Sequence, residues 1–170
     1  MSKQEFILLI PAIVYGVAIV DLLKAFKLSN YWELIYAGGW LLLNAVILWL
    51  SLFNQLDFIV NNNLNLLLVL VQAILFAKSA EMLTPEEKDK DTRAYYEGVV
   101  RYVILLQILV FAIAGLNEIL MYDDRQNVYL RPASIVLGLV AVFWPNKFYR
   151  RFILIGTGFT SIFVLIGVIQ

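Results

Sequence analysis

Six apolar stretches occupy most of the chain, and short polar stretches separate them. They cover residues 6–23, 34–53, 64–83, 102–122, 130–144 and 152–169. A helix that crosses a bilayer needs about 20 apolar residues, with a range of about 17–25, and five stretches have this length. We therefore predict an all-α integral membrane protein with six transmembrane helices in a single polytopic domain, residues 1–170. The first stretch is longer than a signal-peptide core and continues into Asp21, so we expect a retained helix.

The composition supports a bilayer as the surroundings of the chain. Hydrophobic residues make up 62% of the sequence and charged residues 15%, against about 45–50% and about 25% in soluble domains. A soluble core of this size cannot bury so much apolar surface. Lys plus Arg and Asp plus Glu both number 13. Because this balance leaves no net field, we expect no nucleic-acid partner.

The residues that are missing exclude several kinds of chemistry. The chain has no Cys and no His, which excludes zinc sites built from them, thiol nucleophiles and triads with a His base. Asp123, Asp124 and Arg125 form the densest acidic group outside the charged connector, but no third ligand or nucleophile follows at a recognisable spacing. No phosphate-binding motif is present. We predict a protein that is not an enzyme and that has no cofactor and no metal site.

The basic residues predict the orientation, because Lys and Arg accumulate in short cytoplasmic loops. If the N-terminus is outside, the non-cytoplasmic side of the membrane carries only Lys3, Arg125 and Arg131. Ten basic residues then lie on the cytoplasmic side: Lys24, Lys27, Lys78, Lys88, Lys90, Arg93, Arg101, Lys147, Arg150 and Arg151. We predict a plasma or inner membrane protein with both termini on the non-cytoplasmic side.

The fifth stretch is the short one. Pro132 suits a first helical turn and Pro145 ends the run, which leaves about 14 residues, or about 21 Å at 1.5 Å per residue. The hydrocarbon core is about 30 Å thick. A re-entrant segment is the alternative, but it would place Lys147, Arg150 and Arg151 outside and reduce the charge bias to seven against six. A full span is the favoured interpretation.

A charged connector, residues 84–101, separates the third and fourth stretches. Thr84, Pro85 and Glu87 match the start of a helix with a capping box, so a helix is predicted to begin at Thr84. The ordinary interpretation of the connector is a solvated charged elbow. The alternative is a docking surface for a cytoplasmic or membrane protein partner, with these candidate residues: Glu86, Glu87, Lys88, Lys90 and Arg93.

Polar residues inside the apolar stretches are the candidate functional groups, since they face protein or water rather than lipid. The candidates for a polar pathway are two acids near stretch ends and four deeper amides: Asp21, Glu118, Asn44, Gln72, Gln107 and Asn117. The alternative for the acids is ion pairing at the interface. Asp21 is three residues from Lys24, and Lys78 is three residues from Glu81. The alternative for the amides is hydrogen bonding between helices.

Two further patterns concern assembly. The end of the first stretch, around Asp21, resembles the end of the fourth, around Glu118, and three stretches in each part would make two inverted halves. Small residues four positions apart allow helices to pack closely, within one chain or between subunits. These pairs are Ala12 with Gly16, Ser134 with Gly138, and Gly156 with Thr160.

Two functional hypotheses follow from these features. The first is a small membrane protein that forms or contributes to a pathway for an ion or a small solute, as a channel or transporter and as a homo-oligomer. The second is a non-catalytic membrane sensor, scaffold or accessory subunit that acts through the connector. Flux through liposomes supports the first hypothesis, and a stoichiometric partner supports the second.

Overall fold

The protein is described by a computed structural model that covers residues 3–54, 56–86, 91–121, 130–144 and 146–169. In these residues the chain forms helices and no strand, which confirms the all-α prediction. Seven helices are present in this part of the chain: α1 (Lys3–Leu28), α2 (Trp32–Asn54), α3 (Leu56–Asn61), α4 (Asn63–Leu83), α5 (Thr92–Met121), α6 (Leu130–Phe143) and α7 (Lys147–Ile169).

Four of these helices, among the residues described, are long and apolar enough to cross a membrane. They are α1, α2, α4 and α5, and α6 adds a shorter apolar segment, Ser134–Phe143. The predicted limits of the second and third stretches agree with α2 and α4 to within two residues, whereas α5 begins ten residues before the predicted 102. The chain is therefore a membrane-embedded helical protein.

Apolar side chains cover both faces of the long helices. On α1, Ala18 and Leu22 are fully buried against other helices, while Val17 is 57% and Val20 is 51% exposed on the outer face. A helix that is apolar all round belongs in a core or in a membrane. Exposed apolar faces of this kind are typical of helices that lie in a membrane.

The helix directions follow from specific contacts. Glu33 and Asn44 on α2 bond to Arg151 and Ser161 on α7 in the same order along both helices, so α2 and α7 are parallel. Tyr15 packs on Phe76, and Asp21 contacts Thr84, so α1 is parallel to α4. The N-terminal ends of α2, α5 and α7 therefore meet the C-terminal ends of α1 and α4. We call this end of the bundle the basic end.

Helix α6 runs in the opposite direction to its neighbours α5 and α7. Glu97 near the start of α5 bonds to Lys147 at the start of α7, so both helices begin at the basic end. α5 ends at Met121 at the far end, and α6 ends at Phe143, four residues before α7 begins. Its 14 residues give a length of about 21 Å. The chain therefore returns towards the basic end along α6.

The predicted helix start at Thr84 is wrong, because Thr84 ends a helix instead. Its N–H donates to Glu81 O at 3.0 Å, and its Oγ1 lies 2.9 Å from Ala80 O and 2.9 Å from Asp21 O. Pro after a helix end prevents continuation. The next helix starts at Thr92, where Asp91 Oδ1 accepts a hydrogen bond from the Ala94 N–H at 3.0 Å.

Packing differs between the two proposed halves. α1 packs along α4 in the first half, whereas the contacts of α5 go mainly to α6 and α4. These contacts do not test the inversion of one half relative to the other, and two inverted halves of three helices stay a prediction.

The polar stretch between α2 and α4 contains the short helix α3, and Asn62 caps α4 by accepting from the Leu64 N–H at 2.9 Å.

Candidate functional site

Ion pairs connect three helices at the basic end. Arg151 Nε donates to Glu33 Oε1 at 2.7 Å and joins α7 to α2. Lys147 Nζ lies 2.8 Å from both carboxylate oxygens of Glu97 and joins α7 to α5. Arg93 Nε donates to the same Glu97 at 3.1 Å. The two carboxylates thus hold the starts of α2, α5 and α7 together.

Aromatic side chains surround the Glu33 pair. The Tyr31 hydroxyl donates to Glu33 Oε1 at 2.5 Å, and the Tyr31 ring packs edge-on against Tyr96 with centroids 5.5 Å apart. The Arg151 guanidinium lies 5.8 Å from the centre of the Trp32 ring. Burial raises the pKa of the Tyr31 phenol, and the hydrogen bond to Glu33 raises it further. This neighbourhood keeps the phenol protonated as a donor.

Polar side chains follow one face of α2 where it meets α7. Beyond Glu33, the Tyr36 hydroxyl donates to Ile155 O at 3.2 Å. The Trp40 Nε1–H donates to Ser161 Oγ at 3.1 Å, and Ser161 Oγ lies 3.1 Å from Asn44 Oδ1. Interhelical hydrogen bonds replace water inside a bilayer. The predicted pathway residue Asn44 therefore takes part in helix packing.

A small polar cavity lies between α1, α2, α4 and α5, towards the end of the bundle opposite the basic end. Its polar lining consists of Tyr15, Ser51, Gln72 and Asn117, and its volume is about 20 Å³. We call it the four-helix cavity. Asn117 is only 2% exposed, and its Oδ1 has no hydrogen-bond partner among the described residues. An unsatisfied buried oxygen costs about 1–3 kcal/mol, and a water or another polar group in this cavity would offset that cost.

Gln107 lines a second cavity, also of about 20 Å³, between α2, α5, α6 and α7. The side chain is 1% exposed, and neither of its amide atoms has a partner within the described part of the chain. Ser134 and Thr157 add hydroxyls to a mainly apolar lining. This cavity shares no lining residue with the four-helix cavity.

Asp21 lies in a third place, an open cleft of about 440 Å³ at the basic end between α1, α4 and α5. The carboxylate accepts a hydrogen bond from Lys24 Nζ at 3.0 Å, which confirms the predicted ion pair. The second predicted pair, Lys78 with Glu81, is also present at 2.8 Å. Glu86 lines this cleft as well. We call it the end cleft.

The structure therefore separates the residues predicted to line one pathway. Gln72 and Asn117 share a cavity, Gln107 has its own, Asn44 bonds to α7, and Asp21 is at the basic end. Among the docking candidates, Arg93 pairs with Glu97. Three docking candidates lie outside the described residues: Glu87, Lys88 and Lys90. The side chain of the pathway candidate Glu118 lies outside them as well. In the described part of the chain, no group of three acidic side chains is placed to hold a metal ion.

The sequence prediction missed Glu33 and Arg151, the pair that joins α2 to α7. Their signal was present in the spacing: Glu33, Tyr36, Trp40 and Asn44 recur three or four positions apart and therefore lie on one face of a helix. Glu33 lies one residue before the predicted apolar stretch 34–53 and is therefore not among the polar candidates inside the stretches. Nothing in the sequence alone marks α7 as its partner.

The fold and its buried polar groups define a class of protein, an all-helical membrane-embedded protein with polar sites between its helices. Comparisons with protein-family models, curated proteins and solved structures give no match. The residues and their contacts are therefore the basis of the functional proposal.

Proposed function

We propose that the chain is a six-span membrane protein that forms or contributes to a pathway for an ion or a small solute. Both termini lie on the non-cytoplasmic side in this proposal, and the basic end lies in the cytoplasm. The direction of α6 supports six spans, since it runs back between two helices that both begin at the basic end. Lys24, Arg93, Lys147 and Arg151 at that end support the orientation.

The four-helix cavity is the observation that supports the proposed pathway most directly. A polar group inside a membrane protein must be satisfied by protein, water or a ligand. Gln72 and Asn117 come from neighbouring antiparallel helices and face one space with Tyr15 and Ser51. Among the described residues, no interhelical hydrogen bond accounts for Asn117 Oδ1. The lining is instead suited to hold a small polar particle within the bilayer.

The ion pairs at the basic end supply a closure for this pathway. Glu33 is 4% exposed beneath Arg151, and Glu97 bridges Lys147 and Arg93. In this proposal, passage to the cytoplasm separates the starts of α2 and α5, which line the cavity, and so breaks the contacts of both helices to α7. The structure corresponds to the closed state in this proposal.

A homo-oligomer belongs to the same proposal. Gly156 and Thr160 are both exposed on α7 and lie on one face of the helix. A Cβ at Gly156 would meet nothing within 4 Å among the described residues. Small exposed residues four positions apart let a second helix approach closely. Chemical crosslinking in native membranes tests this assembly by the size of the product.

Flux through liposomes tests the pathway. Purified protein should release or admit alkali cations or small solutes faster than empty vesicles under an imposed gradient. The Asn117→Leu variant should lose this flux, because leucine removes the amide from the cavity. The neighbouring Leu116→Ala variant, whose side chain is 44% exposed, is the matched control and should keep it. Wild-type flux equal to that of empty vesicles would refute the proposal.

The second candidate is a non-catalytic sensor, scaffold or accessory subunit. The end cleft favours it, since this cleft of about 440 Å³ lies beside the charged connector and combines Asp21 and Glu86 with Tyr95. Pockets for ligands have volumes of about 300–1,000 Å³. A stoichiometric protein that co-purifies with the wild type, and is lost when residues 86–90 are scrambled, would support this candidate.

A further inference from the structure

The lining of the four-helix cavity has a specific chemistry. Each of the four helices contributes one neutral side chain with an oxygen atom: a phenol from Tyr15, a hydroxyl from Ser51 and amides from Gln72 and Asn117. The other lining residues are apolar: Leu48, Leu52, Val69 and Ala114. Among the described residues, no charged side chain lines the cavity.

The size of the cavity limits its occupant. A volume of about 20 Å³ exceeds the roughly 10–15 Å³ that one water needs. It is too small for a hydrated ion or for an organic solute. The occupant is therefore one particle of about the size of water, in direct contact with the protein.

The charge of the lining distinguishes the classes of ion. Calcium and magnesium sites use carboxylates, which offset the double charge, and the described lining has none. An anion bound in an apolar surrounding would need a cationic side chain or a dense group of N–H donors. The described lining has no Lys or Arg, and its only side-chain N–H donors are the two amides. A monovalent cation needs only neutral oxygens, which replace its hydration shell as carbonyl oxygens do in selectivity filters.

We infer that the four-helix cavity binds one dehydrated monovalent cation through the oxygens of Tyr15, Ser51, Gln72 and Asn117. The buried Asn117 Oδ1 has no partner among the described residues, so it is available to coordinate the ion. The inference rests on the proposed function and deepens it, since it names an alkali cation as the substrate or the coupling ion. The site joins α1 and α2 to α4 and α5, so binding stabilises the packing of these helices.

Cation-dependent stability of the full-length protein in detergent tests the site. We expect the thermal midpoint to rise and saturate with NaCl or KCl, compared with choline chloride at the same ionic strength. Equilibrium dialysis with radioactive sodium or rubidium should give one bound ion per chain. Equal midpoints in all three salts, together with no bound ion, would mean that the cavity holds only water and would overturn the inference.

Binding measurements on three variants test whether the ion lies in this cavity. Ser51→Ala removes one ligand and hardly changes the volume of the side chain, so the fold should persist while affinity for the cation falls at least tenfold. Asn117→Leu should abolish binding. Leu116→Ala should keep the wild-type affinity. If Ser51→Ala and Asn117→Leu both fold and bind the ion as the wild type does, the ion lies elsewhere and the assignment is wrong.

The two proposals fail in distinguishable ways. Binding of one cation without flux above that of empty vesicles would keep the site and refute the pathway. Flux of a solute without cation-specific binding or stabilisation would keep the pathway and refute the site.

Discussion

Arg151 at the start of α7 donates a hydrogen bond to Glu33 at the start of α2, with 2.7 Å between Nε and Oε1 and a sequence separation of 118. The Glu33 side chain is 4% exposed and that of Arg151 is 39% exposed. The pair fixes which ends of two distant helices meet. It is therefore one of the contacts by which the second half of the chain packs on the first, beside the contact between α4 and α5.

Replacement of Glu33 by Gln should destabilise the protein. The substitution keeps the shape of the side chain but leaves Arg151 without its carboxylate. Hydrogen bonds to charged groups contribute about 1.5–3 kcal/mol. Because Arg151 is partly exposed, we expect a loss of about 1–3 kcal/mol in the free energy of unfolding in detergent. The matched control is Glu81→Gln on the Lys78 pair.

The control pair is exposed on both sides, at 53% for Lys78 and 61% for Glu81. Exposed pairs contribute about 0–1 kcal/mol, so Glu81→Gln should change the free energy of unfolding by less than Glu33→Gln does. Equal effects of the two substitutions would contradict a structural role for the Glu33 pair.

Loss of the Ser161 hydroxyl should weaken the contact between α2 and α7 in the bilayer interior. Ser161→Ala removes the acceptor of the Trp40 Nε1–H and the neighbour of Asn44 Oδ1. We expect a loss of about 0.6–2 kcal/mol, the range measured for hydrogen bonds between membrane helices. Within the described residues, the adjacent Thr160 makes its side-chain hydrogen bond to its own helix, at Thr157 O. Thr160→Ala is the control, and a loss as large as that of Ser161→Ala would argue against the interhelical bond.

Two neighbouring glycines on α2 should respond differently to alanine. A Cβ at Gly38 would lie 2.5 Å from Cε1 of Phe26 on α1, whereas a Cβ at Gly39 would meet nothing within 4 Å. Overpacking costs about 1–3 kcal/mol, so Gly38→Ala should lower the free energy of unfolding by this amount. Gly39→Ala should raise it by up to about 1 kcal/mol through helix propensity. Urea or heat titrations of both variants measure the difference, and a reversed order would show that α1 and α2 do not pack in this way.

The positions of the apolar helices could be predicted because the bilayer imposes a length on each hydrophobic stretch. The limits of α2 and α4 illustrate this. The start of α5 could not be predicted in this way, because its first turns are charged. They are helical because Asp91 caps the helix and Arg93 pairs with Glu97 one turn later.

The region around Thr84 shows why local motifs fail. Thr and Pro are typical of the start of a helix, but Pro also follows helix ends. Here Thr84 is at a helix end, where its Oγ1 lies 2.9 Å from Asp21 O on the distant helix α1. Such a contact depends on tertiary packing, which the local sequence does not contain.

The candidate site was predicted in part. The sequence identified Gln72, Gln107 and Asn117 as polar groups within apolar stretches, and all three are buried against cavities. It did not show that Tyr15 and Ser51 complete the cavity of Gln72 and Asn117, because helix periodicity gives the face of a residue but not the helix that it meets.

Six spans with the basic end in the cytoplasm are the premise of the proposed function, and site-directed labelling tests them most directly. The natural chain has no Cys, so single cysteines can be introduced at three exposed positions: Asn30→Cys, Asn63→Cys and Asn146→Cys. A membrane-impermeant maleimide applied to intact cells should label the Asn63 variant alone. The Asn30 and Asn146 variants should react only after the membrane is permeabilised. Labelling of the Asn146 variant in intact cells, with the Asn30 variant still protected, would show that α6 does not cross the membrane and would contradict the six-span topology.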